Sequence, residues 1–255
     1  MHEPTICHEA SGVVGVIKPA GVATQAPAGL PSVEAWLRER MPAGGYLGVP
    51  HRLDRAVSGI MLFASTPRAA RQLSRQFERR QVSKAYLAVT APASDGIEAE
   101  GVWTDWIEKL PDEPRARVVE TAGGDAREAQ THVRAIGSLA DSGEPPLVML
   151  LLEPHTGRMH QLRVQAAARG LPIVGDTLYG GRSADAVGWS WGPKDDPRAA
   201  AIALHAWRIT FTDPDTKQPI TLEAPLSASW PSASRELLAR AGFGAVTAPE
   251  PIRRG

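Results

Sequence analysis

A chain of 255 residues with 43% hydrophobic and 22% charged residues has the composition of a globular protein with a sizeable core, and no apolar run approaches the ~18 residues of a membrane helix. Twenty-eight basic residues balance twenty-eight acidic ones, which excludes a generally basic polyanion binder; a nucleic acid would have to meet a local patch. The single cysteine, Cys7, excludes an internal disulfide and, with His8, lacks the further thiols of a metal site. The opening residues carry no basic segment followed by an apolar one, so no secretory signal is expected and a cytoplasmic location fits.

Taken in chain order, VVGVIKPAGV (13–22) predicts a short buried strand broken at Pro19 and Gly21. SVEAWLRERM (32–41) predicts an amphipathic helix with Val33, Trp36 and Leu37 on one face. GIMLFA (59–64) reads as a continuous apolar strand, and TPRAARQLSRQFERRQ (66–81) as a helix with Thr66 as N-cap and Pro67 in its first turn. KAYLAVT (84–90), the alternating QTHVRAI (130–136) and LVMLLLE (147–153) read as strands. RMHQLRVQAAAR (158–169) predicts a helix closed by Gly170. ALHAWRITFT (203–212) and PITLEA (219–224) flank the turn-rich DPDTKQ as a hairpin, and SASRELLARAGF (232–243) predicts a last helix. Strands outnumber helices and pair locally. The expected fold class is α+β, a mixed, mostly antiparallel β-sheet core with flanking helices, formed by a single domain over residues 1–243. Residues 181–202 read as a long loop and 244–255 as a flexible tail.

Two polar islands could carry chemistry. HRLDRAVSG (51–59) places Arg52, Asp54 and Arg55 at the mouth of a buried strand, and Asp54 there can be nucleophile, base or structural ion pair. In EPHTGRMHQLRVQ (153–165), His160 and Arg163 are three apart and would share a helix face. Arg158 would fall in the first turn, where the helix dipole disfavours a cation unless an anionic partner is present. His155 and His160 have no third ligand spaced to complete a metal site, so no metal is expected. On the helix at 66–81, Arg68, Arg71, Arg75 and Arg79 line one stripe opposite Ala70, Leu73 and Phe77. Either that stripe is a solvated face or, extended by Arg80 and Lys84, it meets an RNA or DNA backbone.

HRLDRAVSGIMLFA resembles the signature of the RluA-type pseudouridine synthases. KPAGV (18–22), KAYLAVT, TGRMHQLRVQAAARGLPIVGDTLYG (156–180) and LHAWRITFTDP (204–214) resemble four further motifs of that family, in family order over roughly residues 13–228. Val57 departs from the threonine of many members, and the first strand matches poorly. The resemblance implies the pseudouridine synthase catalytic-domain fold without a separate N-terminal RNA-binding module. It also implies isomerisation of uridine within structured RNA, ribosomal or transfer RNA, with no cofactor and no obligate protein partner, the chain acting as a monomer. By resemblance Asp54 is the catalytic aspartate, attacking the ribose anomeric carbon or abstracting its C2′ proton. Tyr86 is the active-site tyrosine, whose ring would stack on uracil and whose hydroxyl would take the C5 proton. Arg163 pairs with the aspartate, and Arg52 enters the RNA stack as the target nucleotide is extruded. Leu53 and Ile173 are apolar walls around the base. His51, Arg158, His160 and Lys84, with Arg71, Arg75 and Arg79, fall on the substrate-binding side. A hydrolase using Asp54, which would need a second carboxylate, and an RNA-binding protein of the same fold without catalysis are the alternatives.

Overall fold

The computed structural model describes residues 3–92, 99–139, 146–189 and 200–243. Ten strands form one sheet: β1 (Thr5–Ala10), β2 (Val13–Lys18), β3 (Ser58–Ala64), β4 (Ser83–Thr90), β5 (Gly101–Lys109), β6 (Ala116–Val119), β7 (Arg127–Ser138), β8 (Val148–Pro154), β9 (Leu204–Thr212) and β10 (Pro219–Glu223). The order across the sheet is β1-β2-β3-β9-β4-β8-β7-β5-β6, with β10 paired to β9. Every pairing is antiparallel except β3 with β9. Four helices flank the sheet: α1 (Val33–Arg38), α2 (Pro67–Glu78), α3 (Gln161–Ala168) and α4 (Ser232–Arg240). The α+β expectation holds, and so does each expected helix, although α3 begins three residues later than the sequence suggests.

β3 shows why a strand can be apolar without alternation. Ile60, Leu62 and Ala64 pack toward Ala69 and Leu73 of α2, while Met61 and Phe63 belong to the main core on the other face. A strand buried on both faces needs no polar side. Its entrance is set by Gly59, whose φ of +119° lies outside the range of ordinary side chains; a Cβ there would stand 2.2 Å from the Ala206 carbonyl oxygen. The short parallel contact of β3 with β9, Ser58 to His205 and Gly59 to Ala206, therefore needs the glycine. Ser58 Oγ donates to His205 Nδ1 (2.8 Å), whose Nε2 donates to the Ala224 carbonyl (2.9 Å). The serine-glycine of one motif and the histidine of another are two sides of one junction.

α3 has glutamines and an arginine on buried positions, and each is satisfied. Gln161 accepts from Thr156 Oγ1 (2.7 Å) and the Arg158 amide (3.0 Å) and donates to Thr131 Oγ1 (2.9 Å) and the Gln130 carbonyl (3.1 Å). Gln165 accepts from Thr131 Oγ1 (2.7 Å) and donates to Asp105 Oδ2 (2.6 Å). Buried polar side chains stay folded only when so paired, and here they tie α3 to β5, β7 and the turn that precedes it.

Three strands were not anticipated. β1 and β2 form a hairpin whose two turn residues, Ser11 and Gly12, both have positive φ (51° and 72°), the requirement of a tight primed turn. β5 and β6 form a second hairpin whose tip, residues 110–115, reaches the mouth of the main cleft. The tail at 244–255 and residues 190–199 of the expected loop lie outside the described residues.

Candidate active site

The loop carrying Asp54 is stitched down on both sides of that residue. Thr24 Oγ1 donates to the Leu53 carbonyl (2.9 Å) and accepts from the Leu53 amide (3.2 Å). Gly21 N–H donates to the Arg55 carbonyl and Arg55 Nε donates back to the Gly21 carbonyl, both at 2.8 Å. Lys18, fully buried at the end of β2, sends its ammonium to the carbonyls of Pro19 (3.0 Å), Val22 (2.8 Å) and Arg55 (3.2 Å). Burial pulls its pKa down to about 7, against the opposing pull of the Asp54 charge. The segments KPAGV and HRLDR thus form one clamp, and its product is a fixed Asp54 backbone.

The Asp54 carboxylate, 36% exposed, faces a cation from α3. Arg163 Nη1 lies 3.2 Å from Asp54 Oδ2. The rest of the guanidinium grips a second carboxylate: Nε to Asp176 Oδ2 at 2.6 Å and Nη2 to Asp176 Oδ1 at 2.7 Å, with Asp176 only 1% exposed. Burial disfavours the Arg163 cation, but the hydrogen bonds and charge of Asp176, and then of Asp54, more than offset it and raise its pKa. His160, the left-handed residue (φ 51°) that precedes α3, brings Nε2 to 3.6 Å from Asp54 Oδ2. Burial, more than the opposing pull of Asp54, lowers the His160 pKa, so the imidazole is neutral at pH 7. Its Nδ1 is 2.8 Å from the hydroxyl of Tyr179.

Asp54, His160 and Arg163 line an open cleft of about 1210 Å³. Lys84 and Tyr86, two apart on β4, enter it from one face of the strand. Opposite Ala85 and Tyr86, β9 carries one extra residue, Trp207, and the register shifts there. Burial, and after it the Asp54 charge, pushes the Tyr86 phenol well above its ordinary pKa, so it lines the cleft protonated. Six lining side chains are cationic (Arg52, Arg80, Lys84, Lys109, Arg158, Arg163) against four carboxylates (Asp54, Glu78, Asp112, Glu113), so the cleft is basic although the chain is neutral. Such a surface can hold a polyanion and present one fixed carboxylate to it. Among the described residues no group of three or more His, Cys, Asp or Glu is placed to hold a metal ion.

The family model for RNA pseudouridylate synthase matches residues 12–168, a span that contains the clamp, Asp54, Tyr86 and Arg163. The chain belongs to that family. It is 35% identical over 179 residues to the dual-specificity RNA pseudouridine synthase RluA of Escherichia coli (strain K12), covering 69% of this chain and 71% of that one. It is 30% identical over 227 residues to the ribosomal large subunit pseudouridine synthase C of Vibrio vulnificus, covering 87% of this chain and 65% of that one. Among solved structures, human RNA pseudouridylate synthase domain containing 1 has the same fold, with a TM-score of 0.69, 24% identity and coverage of 97% and 96%.

Around this family's cleft the structure gathers Asp54, Tyr86, Arg163, His51, Arg52, Leu53, Lys84, Arg158 and His160. Other expected residues fall elsewhere. Ile173 does not line the cleft: it is 1% exposed and bridges to Thr90, whereas the expected Leu53 does line it, with Val57, Phe77, Leu162 and Leu204 among the other apolar side chains there. Arg71, Arg75 and Arg79 stand outside the cleft on the exposed face of α2; Arg75 and Arg79 border a separate depression of about 320 Å³. On the buried face of α2, Ala69 and Gln76 accompany Leu73, while Ala70 and Phe77 are half-buried; Gln76 brackets Thr212 with paired bonds of 2.8 and 2.7 Å. Arg158 is not in a first helical turn. α3 begins at Gln161, whose side chain captures the Arg158 amide, and Arg158 Nε donates to the Glu128 carbonyl (2.9 Å). The dipole argument for an anionic partner of Arg158 therefore falls. His51 has its Nε2 occupied by the Leu62 amide (2.8 Å) and stacks on Phe77 with 4.5 Å between centroids, so it props the cleft wall. Lys18, Lys109 and Tyr179 were not singled out from the sequence. The buried Asp176 is the chief partner of Arg163.

Proposed function

We propose that this chain isomerises uridine to pseudouridine within RNA, with Asp54 as the reacting carboxylate. The observation that carries the reading is a partly open carboxylate, Asp54, fixed in a basic cleft by a backbone clamp and a cation, in a chain of the pseudouridylate synthase family. The reaction breaks the bond from N1 of uracil to ribose C1′, turns the base, joins C5 to C1′, and moves a proton from C5 to N1. No atom is gained and no electron is transferred, so no cofactor is called for. Asp54 acts on the sugar, either at C1′ or at the C2′ proton. Tyr86, a protonated phenol in the free cleft, supplies a stacking face for the base. Arg163 holds Asp54 in place, and Arg52, exposed at the rim, fills the space left by the extruded nucleotide.

The substrate is structured RNA. One relative is named for the ribosomal large subunit and another for dual specificity, which makes ribosomal RNA the first substrate to try. The described residues act as one catalytic domain, as a monomer and in the cytoplasm; no helix among them is long and apolar enough to cross a membrane. The test is to incubate the purified chain with RNA, digest to nucleosides, and measure pseudouridine. Its formation supports the reading; its absence on both ribosomal and transfer RNA refutes it.

A further inference from the structure

His160 was expected to touch substrate, and Tyr179 had no expected part. Their geometry gives them another task. The Tyr179 hydroxyl accepts from the Ala116 amide (2.9 Å), at the point where the hairpin tip that walls the cleft becomes β6. With that lone pair occupied, its own proton has His160 Nδ1, 2.8 Å away, as acceptor. The arrangement in which each proton finds an acceptor then leaves the imidazole proton on Nε2, the nitrogen 3.6 Å from Asp54 Oδ2. The two rings meet edge to face, perpendicular and 5.7 Å apart, and the Arg163 guanidinium lies 5.1 Å from the centre of the Tyr179 ring. His160 also has a left-handed backbone conformation, uncommon for a residue with a side chain, though histidine is among the residues that adopt it more readily. Arg163 Nη1 donates to Asp54 Oδ2, His160 Nε2 stands 3.6 Å from that same oxygen, just beyond hydrogen-bond range, and Oδ1 has no hydrogen-bond partner among the described residues.

We propose that Tyr179 and His160 form a positioning arm for the reacting carboxylate: together with Arg163 they hold Asp54 by Oδ2 and leave Oδ1 for the ribose. Tyr179 acts only through His160, by fixing which nitrogen carries the proton and which way the ring faces. Neither residue exchanges a proton with the substrate. The proposal rests on Asp54 being the reacting carboxylate.

The experiment is a double-mutant cycle read in single-turnover pseudouridine formation, with RNA affinity measured separately. Tyr179→Phe removes the hydroxyl and should slow the bound-state rate about tenfold to a hundredfold, the scale of a misplaced reacting group, while RNA affinity stays put. His160→Gln places an amide donor near the position of Nε2 and should restore a rate within about tenfold of wild type, whereas His160→Ala should not. In the His160→Gln background, Tyr179→Phe should cost nothing further, because its only route to Asp54 is gone. A wild-type rate in Tyr179→Phe, equal losses in both backgrounds, or a loss confined to RNA affinity would each overturn the proposal. Should Tyr179→Phe fail to fold, the contrast of His160→Gln with His160→Ala decides: equal rates refute the arm. If Asp54→Asn is inactive while Tyr179→Phe matches wild type, only the arm is refuted; if Asp54→Asn is active, the functional reading itself fails.

Discussion

Replacing Arg163 with methionine removes a buried cation from between two carboxylates, and the structure says which of them suffers. Asp176 is 1% exposed and holds Arg163 through two charge-assisted bonds of 2.6 and 2.7 Å. Asp54 is 36% exposed and holds it through one bond of 3.2 Å. Stranding a buried carboxylate costs of order 3–5 kcal/mol. A carboxylate with water beside it loses at most about 1 kcal/mol. Arg163→Met should therefore destabilise the fold by about 3–5 kcal/mol, nearly all of it through Asp176. Reading the motif alone would assign the stranded charge to Asp54. The assay is equilibrium urea unfolding of two double-mutant cycles. Adding Asp176→Leu to Arg163→Met should recover several kcal/mol, while adding Asp54→Leu should recover less than about 1 kcal/mol. A larger recovery from Asp54→Leu would refute the assignment and place the buried end of the network at Asp54. Pseudouridine formation should be severely reduced in every variant lacking Arg163, rescued fold or not.

Lys18→Met leaves three carbonyls without their donor and should cost about 1–3 kcal/mol and slow turnover by loosening the Asp54 loop; unchanged unfolding and rate would dismiss the clamp. Replacing Arg71, Arg75 and Arg79 with glutamine should weaken RNA binding and reduce the slope of log affinity against log salt by about 2 if each meets a phosphate, and an unchanged slope makes the stripe a solvated face. Burial lowers His51 to about 3 and His205 to about 4 from the ordinary 6.5, so both are neutral in the fold. The unfolded chain binds these protons first, so their contribution is complete above pH 6.5 and is lost as pH falls toward 4 and then 3. At pH 5 the loss is about 2 kcal/mol for each histidine, and a urea midpoint that does not move between pH 7 and pH 5 would contradict it.

The motifs were legible because their residues are fixed by contacts between motifs. The serine-glycine of HRLDRAVSG meets LHAW, and KPAGV meets HRLDR, so each of these segments is held by another that lies far from it in the chain. β3 and α2 were legible from local physics: an apolar run buried on both faces, and a Thr-Pro helix start. β5 was not, because its inward face runs Trp103, Asp105, Ile107. The aspartate breaks the apolar alternation, and only Arg169 and Gln165, some sixty residues away, satisfy it. β1 hides in the same way, with His8 and Glu9 in a strand of no clear period. The start of α3 was misplaced because Gln161 uses its side chain to close the preceding turn, which no helical periodicity reports. The links from Tyr179 through His160, and from Asp176 through Arg163, join residues thirteen to nineteen apart by side-chain geometry alone.

The central claim is that one carboxylate, Asp54, performs the isomerisation. Asp54→Asn keeps the size of the side chain and an oxygen for Arg163 and removes the charge. Wild type and Asp54→Asn should be incubated with ribosomal RNA under single-turnover conditions, and the RNA digested and its pseudouridine quantified. The expected result is product from the wild type and none from Asp54→Asn, with RNA binding and unfolding little changed. Pseudouridine formed by Asp54→Asn at the wild-type rate would contradict the account.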